Sequence, residues 1–129
     1  MAAIAVSERR ITGKSKAGGS VVRYYGTGTA NQADTLTSTA VASGKRQKIS
    51  YITCAYSAAA TQAGVAISVD SQLGADYDAT LTTGTANARY TVYLPNADLW
   101  LDEGDAVLVS APAGGAGVTA AIVIAVEEF

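Results

Sequence analysis

The chain has 129 residues, the size of one ordinary domain, and is 49% hydrophobic but only 16% charged, which excludes a disordered tail. Its 26 Ala, 14 Thr and 13 Gly leave few large apolar side chains, so any core is thin and suited to closely packed sheets. The formal net charge is −2, histidine is absent and Cys54 is the single cysteine, which excludes a disulfide framework, a Cys/His zinc site and any triad that needs imidazole.

Residues 1–20 mix basic, polar and glycine residues without a sustained period and end in Ala17-Gly18-Gly19-Ser20, so they read as an extended basic arm. Residues 21–129 then form the folded domain. From Val21 onward the dominant signal is period two, cut at short intervals by Gly, Asn and Asp. Val21–Tyr25 and Gln47–Tyr56 are predicted strands, with a weaker candidate near Leu36–Ala42. Ala55–Ala63 suits a loop or one helical turn.

Further along, Val65, Ile67 and Val69 alternate with smaller residues, as do Tyr77, Ala79 and Leu81. Tyr90, Val92 and Leu94 form a third such set, stopped by Pro95, with Thr83–Asn87 as the hairpin connection before it. Asp102-Glu103-Gly104-Asp105 turns a short Leu99–Leu101 strand into Ala106–Ala111, and Pro112–Gly117 turns that into a long Val118–Glu127 strand. About eight short strands at this spacing predict an all-β sandwich or barrel.

Motifs for catalysis fail on inspection. Gly13-Lys14-Ser15 lacks the first glycine of a phosphate-binding loop, because that position is Glu8. Gly26-Thr27-Gly28 lacks the third glycine of a dinucleotide fingerprint, because that position is Asn31. Asp70, Asp76 and Asp78, and Asp98, Asp102, Glu103 and Asp105, are groups of acids on loops. A non-standard calcium site is one reading of them, and turn formation by Asp is the simpler one. With only Trp100 and scattered Tyr to line a cleft, paired carboxylates do not read as a glycosidase. The expectation is a protein that is not an enzyme, with no cofactor and no metal.

Charge divides along the chain. Residues 1–50 carry eight basic groups against Glu8 and Asp34, while residues 51–129 carry Arg89 against nine acids. Such polarity suits contacts between unlike parts of neighbouring subunits. A sequence pI near 4.9 argues against dedicated nucleic-acid binding. The longest apolar run, Ala120–Val126, is too short to span a bilayer, and the start has no signal-peptide pattern, so intracellular synthesis with no membrane partner is expected.

The C-terminal third reads Tyr90-Thr91-Val92-Tyr93-Leu94-Pro95, then Leu99-Trp100-Leu101-Asp102-Glu103-Gly104-Asp105, then Ala106–Ala111 and Val118–Glu128. This order resembles the last four strands of a viral-type jelly roll and is similar to small tailed-phage virion proteins, among them the capsid cement or decoration proteins. The resemblance spans residues 47–129 and is one of strands and turns. It implies a jelly-roll β-sandwich and a structural protein of the virion that binds and stabilises the major-capsid shell, on the capsid surface, as a dimer or trimer. The arm residues Arg9, Arg10, Lys14 and Lys16 are then expected to touch a neighbouring chain. The alternative is a carbohydrate-binding β-sandwich module of a head fibre or receptor-contacting protein, using exposed aromatics such as Trp100. Tyr24 and Tyr25, being adjacent in a strand, point to opposite faces, so one of them faces out.

In the final strand, Val118, Ala120, Ile122, Ile124 and Val126 form the predicted core face. The opposite face, Thr119, Ala121, Val123 and Ala125, is small and apolar where a solvated sandwich places charge, so it is the predicted subunit interface, with Glu127 and Glu128 at its rim, covered by a second copy of the protein or by the shell. The competing expectation is that the chain's own N-terminal arm lies across that face.

Overall fold

The computed structural model describes residues 2–96 and 98–129. In chain order the strands are β1 (Ala2–Ala3), β2 (Ser7–Ile11), β3 (Ser20–Thr27), β4 (Asp34–Thr37), β5 (Gln47–Tyr56) and β6 (Ala66–Asp70). A 3-10 turn at Ala75–Tyr77 precedes β7 (Ala79–Thr83), β8 (Tyr90–Tyr93), β9 (Trp100–Leu101), β10 (Ala106–Ala111) and β11 (Ala120–Glu128). That turn is the helical element among the described residues, and the Ala55–Ala63 stretch beyond β5 is a loop.

The strands form two sheets, ordered β1-β4-β10-β6-β7 and β2-β3-β11-β5-β8, with β9 pairing the far end of β5. Without β1, β2 and β9, the eight remaining strands give β4-β10-β6-β7 and β3-β11-β5-β8. Each sheet is built from strands whose chain neighbours mostly lie in the other, which is the jelly-roll arrangement. The expected all-β jelly-roll sandwich is therefore the observed fold.

The core lies between the sheets. Val22, Tyr24, Ile52, Cys54, Ile122, Ile124 and Val126 from one meet Leu36, Ile67, Val107, Val109 and Ala111 from the other. The predicted core face of the last strand is buried throughout, from Val118 to Val126. Burial pushes the Cys54 thiol up to about 11, so it packs as a small apolar group rather than a nucleophile. One irregularity breaks the alternation. The register with β11 shifts between Ala125 and Val126, which leaves Ser50 as an extra residue in β5. Through that bulge Ile49 and Ile52, three positions apart, both reach the core.

The extended segment 1–20 is not free of the sheets. β1 pairs parallel with β4, and β2 pairs antiparallel with β3, so residues 2–11 close the same side of both sheets. Between the two strands, Ile4 packs against the core and its N–H donates to Thr35 O at 2.7 Å. β2 escaped prediction because all five of its residues are exposed, which leaves no alternating apolar pattern to read. The arm adds strands edge-on and does not lie across the outer face of β11, so the expectation of an arm covering that face is corrected.

Candidate functional site

Pairing register places the outward side chains of the six-stranded sheet in rows. One row runs Ser7, Tyr25, Val123, Thr53, Val92. A second runs Arg9, Arg23, Ala125, Tyr51, and a third runs Thr27, Ala121, Ala55, Tyr90. The central region holds no carboxylate, and its basic groups sit on β2 and β3. Tyr25 is 42% exposed, Val92 47% and Tyr90 59%, so large apolar surface meets solvent around a small-residue centre.

The four predicted interface residues differ in what they offer. Ala121 is exposed and Val123 half-buried, and both stand in this face. Thr119 lies just before β11, where its N–H takes the Ser57 hydroxyl as acceptor at 3.0 Å. Ala125 is buried, and this corrects its expected availability to a partner. Arg23 and Tyr51 flank it in the row, and the Arg23 Nε donates to the Tyr51 hydroxyl across it at 3.3 Å. A larger residue at position 125 would lift that bridge, which is a physical reason for alanine there.

The four basic arm residues also separate. Arg9 is exposed on the outer face beside Arg23, and Lys14 and Lys16 are exposed in the 12–19 turn. Arg10 points to the opposite side and forms an ion pair with Glu128, with Glu8 at 3.7 Å as a weaker partner. Its expected role as a partner contact is thus replaced by an internal one. Gln47 completes the cluster, donating from Nε2 to the Tyr24 hydroxyl and to Glu128 Oε2, both at 2.9 Å. Burial alone would raise the Glu128 carboxyl. The hydrogen bonds from Gln47 and Arg10 and the nearby positive charge outweigh it, so its pKa lies below the ordinary value.

Several of the acids named from sequence accept backbone hydrogen bonds, within one loop or between loops. Ser71 N–H donates to Asp78 at 2.9 Å, Gln72 N–H to Asp105 at 3.0 Å, and Gly44 N–H to Glu103 at 2.8 Å. Among the described residues no group of three or more Asp, Glu, Cys or His comes together to hold a metal ion. A depression of about 590 Å³ is rimmed by Lys45, Arg46, Asp102 and Glu103, where the charges of opposite sign compensate one another.

Trp100 is 41% exposed, and its ring is engaged. The Arg46 guanidinium sits 5.1 Å from its centroid and the Phe129 ring 5.5 Å away. It therefore anchors the C-terminal residue more than it offers a platform. Reading by sequence missed Tyr90 and Val92 as face residues, although their alternation was visible. It supplied the outward tyrosine of the Tyr24–Tyr25 pair, which is Tyr25.

No family model matches the sequence, and no curated protein matches it. Solved structures similar to the chain include one titled carbohydrate binding module family 29, at 13% identity and TM-score 0.40, covering 97% of this chain and 77% of that one. A second, titled CBM4 structure and function, has 15% identity and TM-score 0.36, covering 83% of this chain and 84% of the other. A third is an arabinose-bound α-L-arabinofuranosidase, at 14% identity and TM-score 0.37, where the match covers 98% of this chain and 21% of that one.

Proposed function

We propose that the chain is a structural protein of a tailed-phage virion, a cement or decoration protein that lays the outer face of its six-stranded sheet on the major-capsid shell. The observation that carries the reading is that face: Val123, Ala121, Ala55 and Val92 interleaved with Thr27 and Thr53, edged by the exposed Tyr25 and Tyr90, with Arg9 and Arg23 at one side. A solvated sheet normally carries charged and polar side chains on its outer face, and an apolar one is stabilised by being covered. The resemblance of residues 47–129 to small virion proteins supplies the identity of the cover. On this reading the chain works by binding, without catalysis or cofactor, at the capsid surface.

Arg9, Lys14 and Lys16, together with Arg23, would meet acidic surface on the shell. A second reading, glycan binding by a head-fibre or receptor-contacting module, is favoured by the exposed rings of Tyr25 and Tyr90 on the same face. Quantitative mass spectrometry of purified particles separates them. A shell protein is present in hundreds of copies, and particles lacking it break more readily on heating. A chain that is scarce on particles and retained on a sugar matrix through Tyr25 and Tyr90 supports the glycan reading instead.

A further inference from the structure

We infer that the free edge of β8 is a self-association site at which a second copy of this chain pairs antiparallel, two-fold about Val92. This goes beyond docking on a shell, since it needs only two copies of the chain.

β8 is the outermost strand of the six-stranded sheet on the side away from the arm. Which of its backbone groups are free follows from one hydrogen bond. Tyr56 N–H donates to Arg89 O at 2.8 Å, so 56 and 89 are a hydrogen-bonded pair in the β5–β8 ladder. Such pairs alternate in an antiparallel ladder. Thr91 and Tyr93 therefore direct their N–H and C=O towards β5, and Tyr90 and Val92 direct theirs outward, as does Leu94 if the ladder is continued. The same three residues carry exposed apolar side chains, at 59%, 47% and 64%. Hydrogen-bonding capacity and apolar surface thus coincide on one face of one edge.

That edge is also unprotected by charge. No charged residue occurs from Tyr90 to Asn96, whereas β2 at the other edge of the sheet carries Glu8, Arg9 and Arg10. Charged side chains on an edge strand discourage pairing with another chain, and β8 has none. β7, the free edge of the second sheet, is less suited, because its register shifts opposite Ile67 and Ser68 and leaves Leu81 without a partner.

The occupant follows from symmetry. Antiparallel pairing must keep side chains of one face together, so Tyr90, Val92 and Leu94 meet their own kind. With Val92 on the two-fold axis, Val92 faces Val92 of the second copy and Tyr90 faces its Leu94. Each of these residues then exchanges both backbone hydrogen bonds. In this register Arg89 lies opposite Pro95 of the second copy, and its guanidinium donates to Tyr56 O and Ser57 O of its own chain, both at 3.3 Å, so no like charges meet across the seam. A contact of this length is smaller than the roughly 1,200 Å² of a standard stable interface, so the pair is weak in dilute solution and strong where copies are held side by side.

The test uses the full chain with no particle present. Sedimentation velocity from micromolar to millimolar concentration should show a reversible dimer. Val92→Lys, which sets two like charges on the axis at an exposed position, should leave the chain monomeric with an unchanged circular dichroism spectrum. Independently, Val92→Cys should give a covalent dimer with a short bis-maleimide, while the wild-type chain, whose Cys54 is buried, and an Ala116→Cys control should not. A chain that is monomeric at millimolar concentration and gives no cross-link at position 92 overturns the proposal. So does a dimer that Val92→Lys leaves intact, since its interface then lies elsewhere.

Discussion

Arg10 in the second strand and Glu128 at the end of the last form an ion pair although 118 residues separate them in sequence. The pair ties the arm to the strand at the centre of the six-stranded sheet, and Gln47 and Tyr24 extend it inward. Burial tends to lower the Arg10 pKa, but the hydrogen bond and charge of Glu128 raise it overall. Each partner therefore holds the other charged.

Arg10→Ala should destabilise the fold by about 1–3 kcal/mol, the usual cost of losing a hydrogen bond to a charged, mostly buried group. Unfolding in urea measures it. The pH dependence has a definite sign. The Glu128 carboxyl is depressed below its ordinary 4.5, so the stability it contributes is present above that value and is lost as pH falls through the lower folded one. The difference in stability between wild type and Glu128→Gln should be full at neutral pH and shrink as pH falls below the ordinary 4.5.

Gly26 is a second tie between arm and body. A Cβ there would lie 2.6 Å from Ile4 Cγ2 and 2.9 Å from Ala5 O, so only glycine lets the 4–6 segment cross β3. Gly26→Ala should cost about 1–3 kcal/mol by overpacking. Limited proteolysis should then cut within residues 2–6 sooner, and adding Ile4→Ala should restore part of the loss.

Tyr56 closes the far end of the sandwich, donating its hydroxyl to Pro112 O at 2.6 Å, with burial pushing its pKa up to about 12. Tyr56→Phe should cost about 1 kcal/mol. Gly114→Ala should cost more, because the new Cβ would lie 2.7 Å from the Tyr56 ring and 2.8 Å from Val118. Thermal unfolding of the two variants side by side tests the order.

Most strands were readable because one face of each is buried and the other is not. Ala106–Ala111 matches β10 in both bounds, and the last strand differs only at its ends. Three features were hidden, each for a physical reason. β2 buries neither face, so its Ser-Glu-Arg-Arg-Ile carries no period. The bulge at Ser50 puts Ile49 and Ile52 on one side, against strict alternation. In β8 the alternation was plain, but which face turns inward was not. Thr91 is buried and Val92 exposed, because Thr91 pairs with the inward-facing Cys54 and Val92 with the outward-facing Thr53. For the face around Val123, the sequence indicated small apolar character at Ala121 and Val123, while the Arg23–Tyr51 bridge over Ala125 depended on register between three strands.

Val123→Glu should leave stability within about 0.5 kcal/mol, as expected for a partly exposed position outside the core. Because the arm adds at the sheet edge and does not cross this face, the monomer should fold normally while attachment to particles is lost. Attachment of the wild type should also weaken with salt, through Arg9, Arg23, Lys14 and Lys16, since such contacts are screened beyond about 10 Å at 0.1 M. Arg10→Gln should change the salt dependence little, because its charge is spent on Glu128.

The most direct test of the docking claim is a cryo-electron microscopy reconstruction of the virion with this chain in place. Copies should lie over the shell with Tyr25, Ala121 and Val123 against major-capsid subunits and the five-stranded sheet turned away. A chain seated with that face open to solvent, or absent from the shell altogether, would contradict it.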